Sequence, residues 1–581
     1  MNRNSKHRLL AACALAAIFA ADAGFSAARA DEQTVKLIKL LIQKGILTNS
    51  QAGELLRETG GAATSRTKHG AAPVQAAPEA EPAAAPSTGG IRVTYVPQFI
   101  RRQIADQVRS EVMAQTKEEG WAEPDALPEW TKRFKLYGDM RARYERDSFD
   151  HNNYNDFFNF TSINSGSGYD AQNLGSGSYS QASPPFLNTT QDRDRARIRA
   201  RLGVLAYIDD GLTADFRLST GSDQGPVTPN QTLGQPGDFS KFAAYIDRAN
   251  LTYTGIPGLT ASIGRFANPF STTDLIFYSE LGFDGLAAHY QHDITDTTGG
   301  FITAGVFPIL NSAFDFSTNS DQKFNSDNGY MLAVQGGGEW RVRHDLTAKL
   351  AVGLFDFTGI QGAVSQPCEP PVGTNAPYIC DTDNTRLLFQ QFGNTVYAIR
   401  SIVNTPGVTY QVNPQYYGLA SRFAVLEAHP QFLISSYDPF DILLEGEYLK
   451  NLAYNRNAIL DHGPVQGPIG PANNLIGKND YYQGGDTAWM VKGTFGNLAI
   501  HKRWDWNVTA GYKYLETDST LDSINDADFH LGGTNAQGTL LTGSLGVAKE
   551  TFLSLRWFSA QTISGPHYGN TVVQLDLQSS F

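Results

Sequence analysis

The sequence predicts an all-β fold: a transmembrane antiparallel β-barrel of about 16 strands, preceded by a short N-terminal α-helical region. Three observations predict it. From Lys132 onward, apolar and polar residues alternate with period two. The alternating segments are joined in turn by tight turns and by long stretches rich in Gly, Asn, Ser and Tyr. The chain also ends on an aromatic residue, Phe581, in phase with Val573, Leu575 and Leu577.

Composition points the same way. The 581 residues include 56 Gly, 33 Phe and 25 Tyr but only 5 Met, which favours short strands and turns over a helical core. A net charge of -12 argues against nucleic acid as a partner. No stretch reaches about 18 consecutive apolar residues, so a membrane helix is excluded while an alternating barrel is not.

Residues 1–30 read as a signal peptide: Arg3, Lys6 and Arg8 precede an apolar run from Leu9 to Ala20, and Ala28-Arg29-Ala30 precedes a cleavage point at Asp31. Residues 31–59 read as a helical hairpin, with Val35, Ile38, Leu41 and Ile42 at helical spacing, Gly45 as a stop, and Thr48 with Gln51 as a capping box. Residues 60–90 are an Ala/Pro-rich linker. The segment 91–131 is read as a periplasmic helix whose stripe of Ile100, Ile104, Val108 and Val112 either zips to neighbouring subunits or lies on the barrel rim.

The barrel occupies 132–581. Its strands are expected at 132–146, 192–209, 212–221, 242–254, 259–266, 285–292, 299–307, 330–340, 346–357, 418–432, 440–451, 485–497, 502–516, 536–548, 551–559 and 569–581. A hairpin concealed in 358–417 would raise the count to eighteen. Short turns follow the even-numbered strands and long loops most odd-numbered ones, which puts the turns and both termini in the periplasm. A soluble all-β protein would have to seal its arginine- and glutamate-rich faces into a dry core; lipid outside and water inside resolves that conflict. Cys368 and Cys380, in a Pro-rich loop of an exported chain, are read as a disulfide, with two free thiols as the alternative.

With these features in place, the chain resembles the "putative porin" family of Gram-negative outer membranes, which is related in architecture to general diffusion porins. The resemblance is carried by VPQFIRRQIADQVRSEVMAQTKEEGW, PEWTKRFKLYGDMRARYE, GRFANPFSTTDLIFYSELGFDG (264–285) and GEYLKN (446–451). It implies a porin, usually a homo-trimer, placed by the barrel-assembly machinery in outer-membrane lipid, with Phe581 as the assembly signal; it implies no particular solute.

The expected pore wall follows from phase. Arg133, Lys135, Arg141 and Arg143, the ladder Arg193, Arg195, Arg197, Arg199 and Arg201, then Arg217 and Arg248 would make a basic wall. Asp441, Glu445 and Glu447 would lie roughly opposite, giving a transverse field. The loop after the fifth strand, with Asp274, Glu280 and Asp284, would fold inward and narrow the pore. The alternative is that the arginines pair with Asp139, Asp194, Asp215 and loop acids, or bind anionic lipid head groups. No catalytic, metal or cofactor constellation is found, and His289 and His292 are expected on opposite strand faces. The expected function is passive diffusion of ions and small hydrophilic solutes. The rivals are an outer-membrane anchor whose N-terminal helices tether cell wall or a periplasmic partner, and a dedicated uptake channel for one anion class.

Overall fold

The computed structural model describes residues 129–581 apart from 167, 171–184, 223–224, 313–323, 367–379, 402–413, 462–474 and 477–480. The signal peptide, hairpin, linker, nearly all of 91–131, and Cys368 lie outside the described residues.

Sixteen long strands follow in chain order: β1 (Phe134–Phe149), β2 (Arg193–Asp209), β3 (Leu212–Ser219), β4 (Tyr245–Tyr253), β5 (Leu259–Ala267), β6 (Gly282–Thr295), β7 (Thr298–Asn311), β8 (Asn328–Arg343), β9 (Leu346–Thr358), β10 (Phe423–Tyr437), β11 (Phe440–Asn451), β12 (Thr487–Gly496), β13 (Trp506–Leu515), β14 (Ala536–Ala548), β15 (Thr551–Thr562) and β16 (Gly569–Ser580). Each pairs antiparallel with its sequence neighbour, and β16 pairs with β1, so the sheet closes and has no edge. Among the described residues, this sheet gains one further strand, the two-residue Gln231–Thr232, which pairs with β2. Because β9 pairs directly with β10, the intervening segment contributes no barrel hairpin and the count is sixteen, not eighteen.

Closure follows from the side-chain pattern. On β1, Leu136, Met140 and Tyr144 are exposed on the outer face, while Asp139, Arg141, Arg143, Glu145 and Asp147 on the inner face are buried. The outward apolar row continues around the ring, for example through Leu202, Phe216, Leu251, Ile263, Leu286, Leu350, Val491 and Leu575. Exposed aromatics mark the ends of this row: Tyr253, Tyr290, Trp340, Tyr437 and Trp504 toward the turns, and Tyr144, Tyr448 and Trp489 toward the loops. Such a surface is stable only against hydrocarbon.

The turns are short, as at 210–211, 296–297, 344–345 and 549–550. The long connections are named here L1 (150–192), L2 (220–244), L3 (268–281), L4 (312–327), L5 (359–422), L6 (452–486), L7 (516–535) and L8 (563–568). Strand boundaries shift where the pattern is weak. β6 runs from Gly282 rather than 285, and β10 spans Phe423–Tyr437 rather than 418–432, because Tyr417–Leu419 pairs with Val396–Ala398 inside L5.

Two glycines carry the seam. Phe581 exchanges backbone hydrogen bonds with Gly138, N to O and O to N, both at 3.0 Å. A Cβ on Gly138 would stand 2.5 Å from the Arg201 carbonyl oxygen and 2.6 Å from Phe581 Cζ. The neighbouring Tyr137 lies over its cross-strand partner Gly203 in the same way, its Cζ 2.4 Å from where a Cβ would be. Each ring covers the backbone of a glycine, and both glycines are buried. Gly138→Val should therefore strain the β16–β1–β2 seam by about 1–3 kcal/mol, seen as a lower temperature for the gel-mobility shift that accompanies barrel unfolding; an unshifted transition would refute a close-packed seam.

Candidate functional site: a lumen crossed by two loops

Register decides the chemistry of the inner wall. Across β1 and β2, Arg193 faces Asp147, Arg195 faces Glu145 and Arg201 faces Asp139, so three rungs of the ladder are acid–base pairs. The other two rungs are not. Arg197 faces Arg143 and Arg199 faces Arg141, two like-charge pairs directly opposed, which destabilise a sheet unless other groups intervene.

Carboxylates from two loops and the next strand intervene. Glu280 of L3 bonds Arg199, meets Arg201 at 2.5 Å and lies 3.5 Å from Arg141. Asp528 of L7 accepts from Arg143 at 3.0 Å and from Arg556 of β15 at 2.8 Å, while Asp576 of β16 receives both Nε and Nη2 of Arg143 at 2.7 and 2.8 Å. Within the wall, Asp139 bridges Arg199 and Arg201, and Glu145 bonds Arg195 and reaches Arg197 at 3.3 Å. Charge-assisted, partly bidentate bonds of this kind are strong where water is scarce.

L3 is shaped by its own polar atoms. Asn268 Oδ1 accepts from Phe270 N, Thr273 Oγ1 from Leu275 N, and Asp274 Oδ1 from Ser279 N. Its middle, Leu275-Ile276-Phe277-Tyr278, is buried. It rests on an inward-facing apolar floor that includes Phe266, Phe283, Phe307 and Phe355, with the rings of Phe270 and Phe277 5.0 and 5.1 Å from Phe355. Far across the ring, Glu447 of β11 accepts from Thr273 N at 3.2 Å and from the Thr273 hydroxyl, and Gln335 of β8 accepts from Ser271 N at 2.9 Å. L3 thus spans the lumen from the arginine wall to the acidic wall.

L7 lies against it. Tyr278 N donates to Ile524 O at 2.9 Å, and Asp526 N donates to Asp274 O at 3.0 Å. Lys513 of β13 bonds Asp526, and Gln574 Nε2 donates to Asp528. Burial alone would raise the Asp528 carboxyl, but Arg143 and Arg556 hold it well below the ordinary carboxylate value.

The expected pore-lining residues are placed as follows. Arg141, Arg143, the five ladder arginines, Arg217 and Arg248 are on the inner wall; Arg217 pairs with Asp247 at 2.5 Å and Arg248 with Asp215 at 3.5 Å. Lys135 is exposed near the turn end of β1, and Arg133 precedes that strand in a short 3-10 helix. Glu445 meets Lys492 at 3.0 Å and Gln431 at 2.9 Å, Glu447 holds L3, and Asp441 sits near the turn end of β11. Asp274 and Glu280 are in L3. Asp284 is not: it lies on β6, outward and exposed, paired with Arg265 at 2.6 Å, because the glycine-flanked GFDG stretch continues the strand instead of the loop. Asp194 likewise faces out, toward Tyr144 and Arg146. His289 lines the lumen, bonded to Thr303 at 2.7 Å, and Cys380 is buried and disulfide-bonded. Among the described residues no group of His, Cys, Asp and Glu is arranged to hold a metal ion.

Sequence reasoning missed Asp526, Asp528, Arg556, Gln574 and Asp576. The acid-rich run DSINDAD of L7 and the lone Arg556 inside an apolar strand were the available signals.

A closed sixteen-strand barrel with an inward-folded loop fixed to both walls is the architecture of a β-barrel channel protein. The chain belongs to the family described as "Putative porin", which matches residues 31–581. Similar solved structures include the outer membrane channel DcaP of Acinetobacter baumannii (11% identity, 77% of this chain and 97% of that one, TM-score 0.35). Others are OprB of Pseudomonas putida (10%, 78% and 94%, 0.40) and OccK8 (OprE) of Pseudomonas aeruginosa (10%, 78% and 98%, 0.33). No curated protein matches the chain in sequence.

Asp522 of L7 gives a pH test of how this loop is held. Its Oδ1 has no hydrogen-bond partner and Oδ2 accepts only weakly from Asn394 N at 3.3 Å. Burial, with the Asp518 charge adding and Asn394 N opposing, raises its pKa from 3.8 to about 7. A carboxyl with a raised folded-state pKa contributes stability that is full below the unfolded value and lost as pH rises through the folded one. The Asp522 contribution to hydrogen-exchange protection across 516–535 should therefore fall between about pH 4 and about pH 7, and it is read as the difference between the wild type and Asp522→Asn, because His530 and Asp518 of the same loop titrate in both. The wild type should lose protection relative to Asp522→Asn as pH rises through that window; parallel curves for the two proteins would sink the assignment.

Proposed function

We propose that the chain forms a water-filled channel in the Gram-negative outer membrane for passive diffusion of ions and small hydrophilic solutes. The observation that carries this reading is L3, which crosses the lumen and is fixed at Glu280 to the arginine wall and at Thr273 to Glu447. A barrel serving only as an anchor has no use for a loop clamped at mid-lumen by charges of both signs, whereas a channel uses it to set pore width and local field.

Within that reading the inner arginines with Asp441, Glu445 and Glu447 line the pathway, L3 is the constriction, and Cys380 pairs with Cys368. Phe581 is the mark read by the assembly machinery, residues 1–30 direct export, and the helices of 31–59 and 91–131 stand in the periplasm. The barrels associate as trimers. Selectivity arises from how completely the wall charges are paired. Each ladder arginine has a carboxylate of Asp139, Glu145, Asp147 or Glu280 beside it, so the field of the ladder is short in range and is felt only by solutes passing L3.

Replacing Arg197, Arg199 and Arg201 by Gln removes both ion-pair partners of Asp139 and leaves Glu280 with Arg141 alone, at 3.5 Å. In planar bilayers the wild-type protein should show stepwise conductance, and this variant should shift the reversal potential in a salt gradient toward cation preference. Unchanged reversal potentials would reject the ladder as a selectivity element, and a wild-type barrel with no conductance would favour the anchor.

A further inference from the structure

The two inward loops do not fill the lumen evenly. L7 and the Glu280 end of L3 occupy the sectors lined by β13–β16, β1 and β2, where carboxylates and guanidinium groups satisfy one another, and the middle of L3 covers the phenylalanine floor of β5–β9. Beneath the start of L3, against β3–β6, a cavity of about 360 Å³ remains, within the size range of small-molecule sites. It shares Pro269 and His289 with a second cavity of about 800 Å³ that continues along β6–β9 toward the turns.

The smaller cavity differs from the ladder in that its groups are not saturated. A bulge at Asp247 gives that carboxylate to Arg217 and leaves Arg248 with one ion pair, the 3.5 Å contact to Asp215, which also accepts the Tyr137 hydroxyl at 2.5 Å. The Arg248 side chain is 28% exposed, against 2% for Arg199. Its guanidinium has five donors, so most remain available. Beside it runs a row of neutral hydrogen-bonding groups: Asn250 Nδ2 donates to Thr252 Oγ1 at 3.1 Å, and Thr252 Oγ1 lies 2.9 Å from Ser262 Oγ. Asn250 Oδ1 is buried without a partner. Phe266 and Pro269 supply an apolar floor.

We propose that this cavity is a selectivity subsite for small hydroxylated monocarboxylates, with Arg248 taking the carboxylate and Asn250, Thr252 and Ser262 taking hydroxyl groups. The proposal rests on the channel reading and deepens it. One loosely held guanidinium next to Asp215 suits a single negative charge and disfavours a second. The hydroxyl and amide row distinguishes a hydroxylated chain from a bare alkyl one, since unmatched polar groups on the wall would lose their water without replacement.

The test uses gluconate, with propionate (charge without hydroxyls) and glucose (hydroxyls without charge) as comparators, on the full-length protein in detergent by calorimetric titration and in planar bilayers by current block. Gluconate should bind at least about tenfold more tightly than either comparator, and Arg248→Gln should weaken it by about tenfold or more. Thr252→Val with Ser262→Ala should leave propionate unchanged and narrow its gap to gluconate, which keeps the proposal open to refutation if Arg248→Gln fails to assemble. Equal binding of gluconate and propionate by the wild type, or wild-type gluconate binding in assembled Arg248→Gln, overturns the subsite. A barrel that conducts without binding gluconate overturns the subsite alone. One that binds gluconate in solution without conducting sustains the subsite and overturns the channel.

Discussion

The lumen depends on a problem of like charge. Residues two apart on a strand stand about 7 Å apart on one face, so adjacent guanidinium groups on β2 would repel by about 2 kcal/mol at an effective dielectric of about 20. The register with β1 relieves three of the five rungs and aggravates two, because Arg141 and Arg143 fall opposite Arg199 and Arg197. Those two rungs are where carboxylates arrive from outside the strand pair. Glu280 comes from L3 to the rung of Arg141 and Arg199. Asp528 comes from L7, and Asp576 from β16, to Arg143 in the other. Inward folding of two loops thus supplies part of the counter-charge that these two rungs require, beside Glu145 and Asp576 of the wall itself.

Pairing alone would not hold a loop across a water-filled space, because exposed ion pairs contribute little. L3 therefore brings its own desolvation. The buried run from Leu275 to Tyr278 meets an inner wall that is apolar where the rest is polar, and edge-to-face ring contacts fix its height in the barrel. L7 then closes the other side through backbone bonds to L3. Once water is excluded, the same carboxylates become costly to separate from their arginines, so apolar packing and ion pairing reinforce one another.

The strands were legible because each has a single requirement that shows in one strand alone: apolar side chains toward lipid every second residue. Arg193 to Arg201 could be assigned to the inner face on phase alone, as could Glu445 and Glu447. What pairs with them could not, since a partner in L3 or L7 is set by where a long loop lands and not by spacing. Asp284 shows the converse error. Its neighbours Gly282 and Gly285 resemble loop residues in sequence, but in β6 they continue the strand, and the outward Asp284 is tolerated because Arg265 lies beside it on β5. The inward phenylalanines of β5–β9 also broke the simple rule of polar side chains facing water, for they face a loop instead.

A transverse field between a basic and an acidic wall is the natural expectation for two such stripes, but pairing changes its form. Each arginine of the ladder has a carboxylate within 4 Å, and Glu445 has Lys492 and His429 nearby, so the charges act as local dipoles and not as two sheets. Screening confines what is left to about 8 Å at physiological salt. The stripe then also serves as a scaffold that positions L3 and L7, and on the proposed channel reading discrimination among solutes is shared with the sector beneath L3, where the Arg248 guanidinium and a row of neutral hydrogen-bonding groups remain unsaturated.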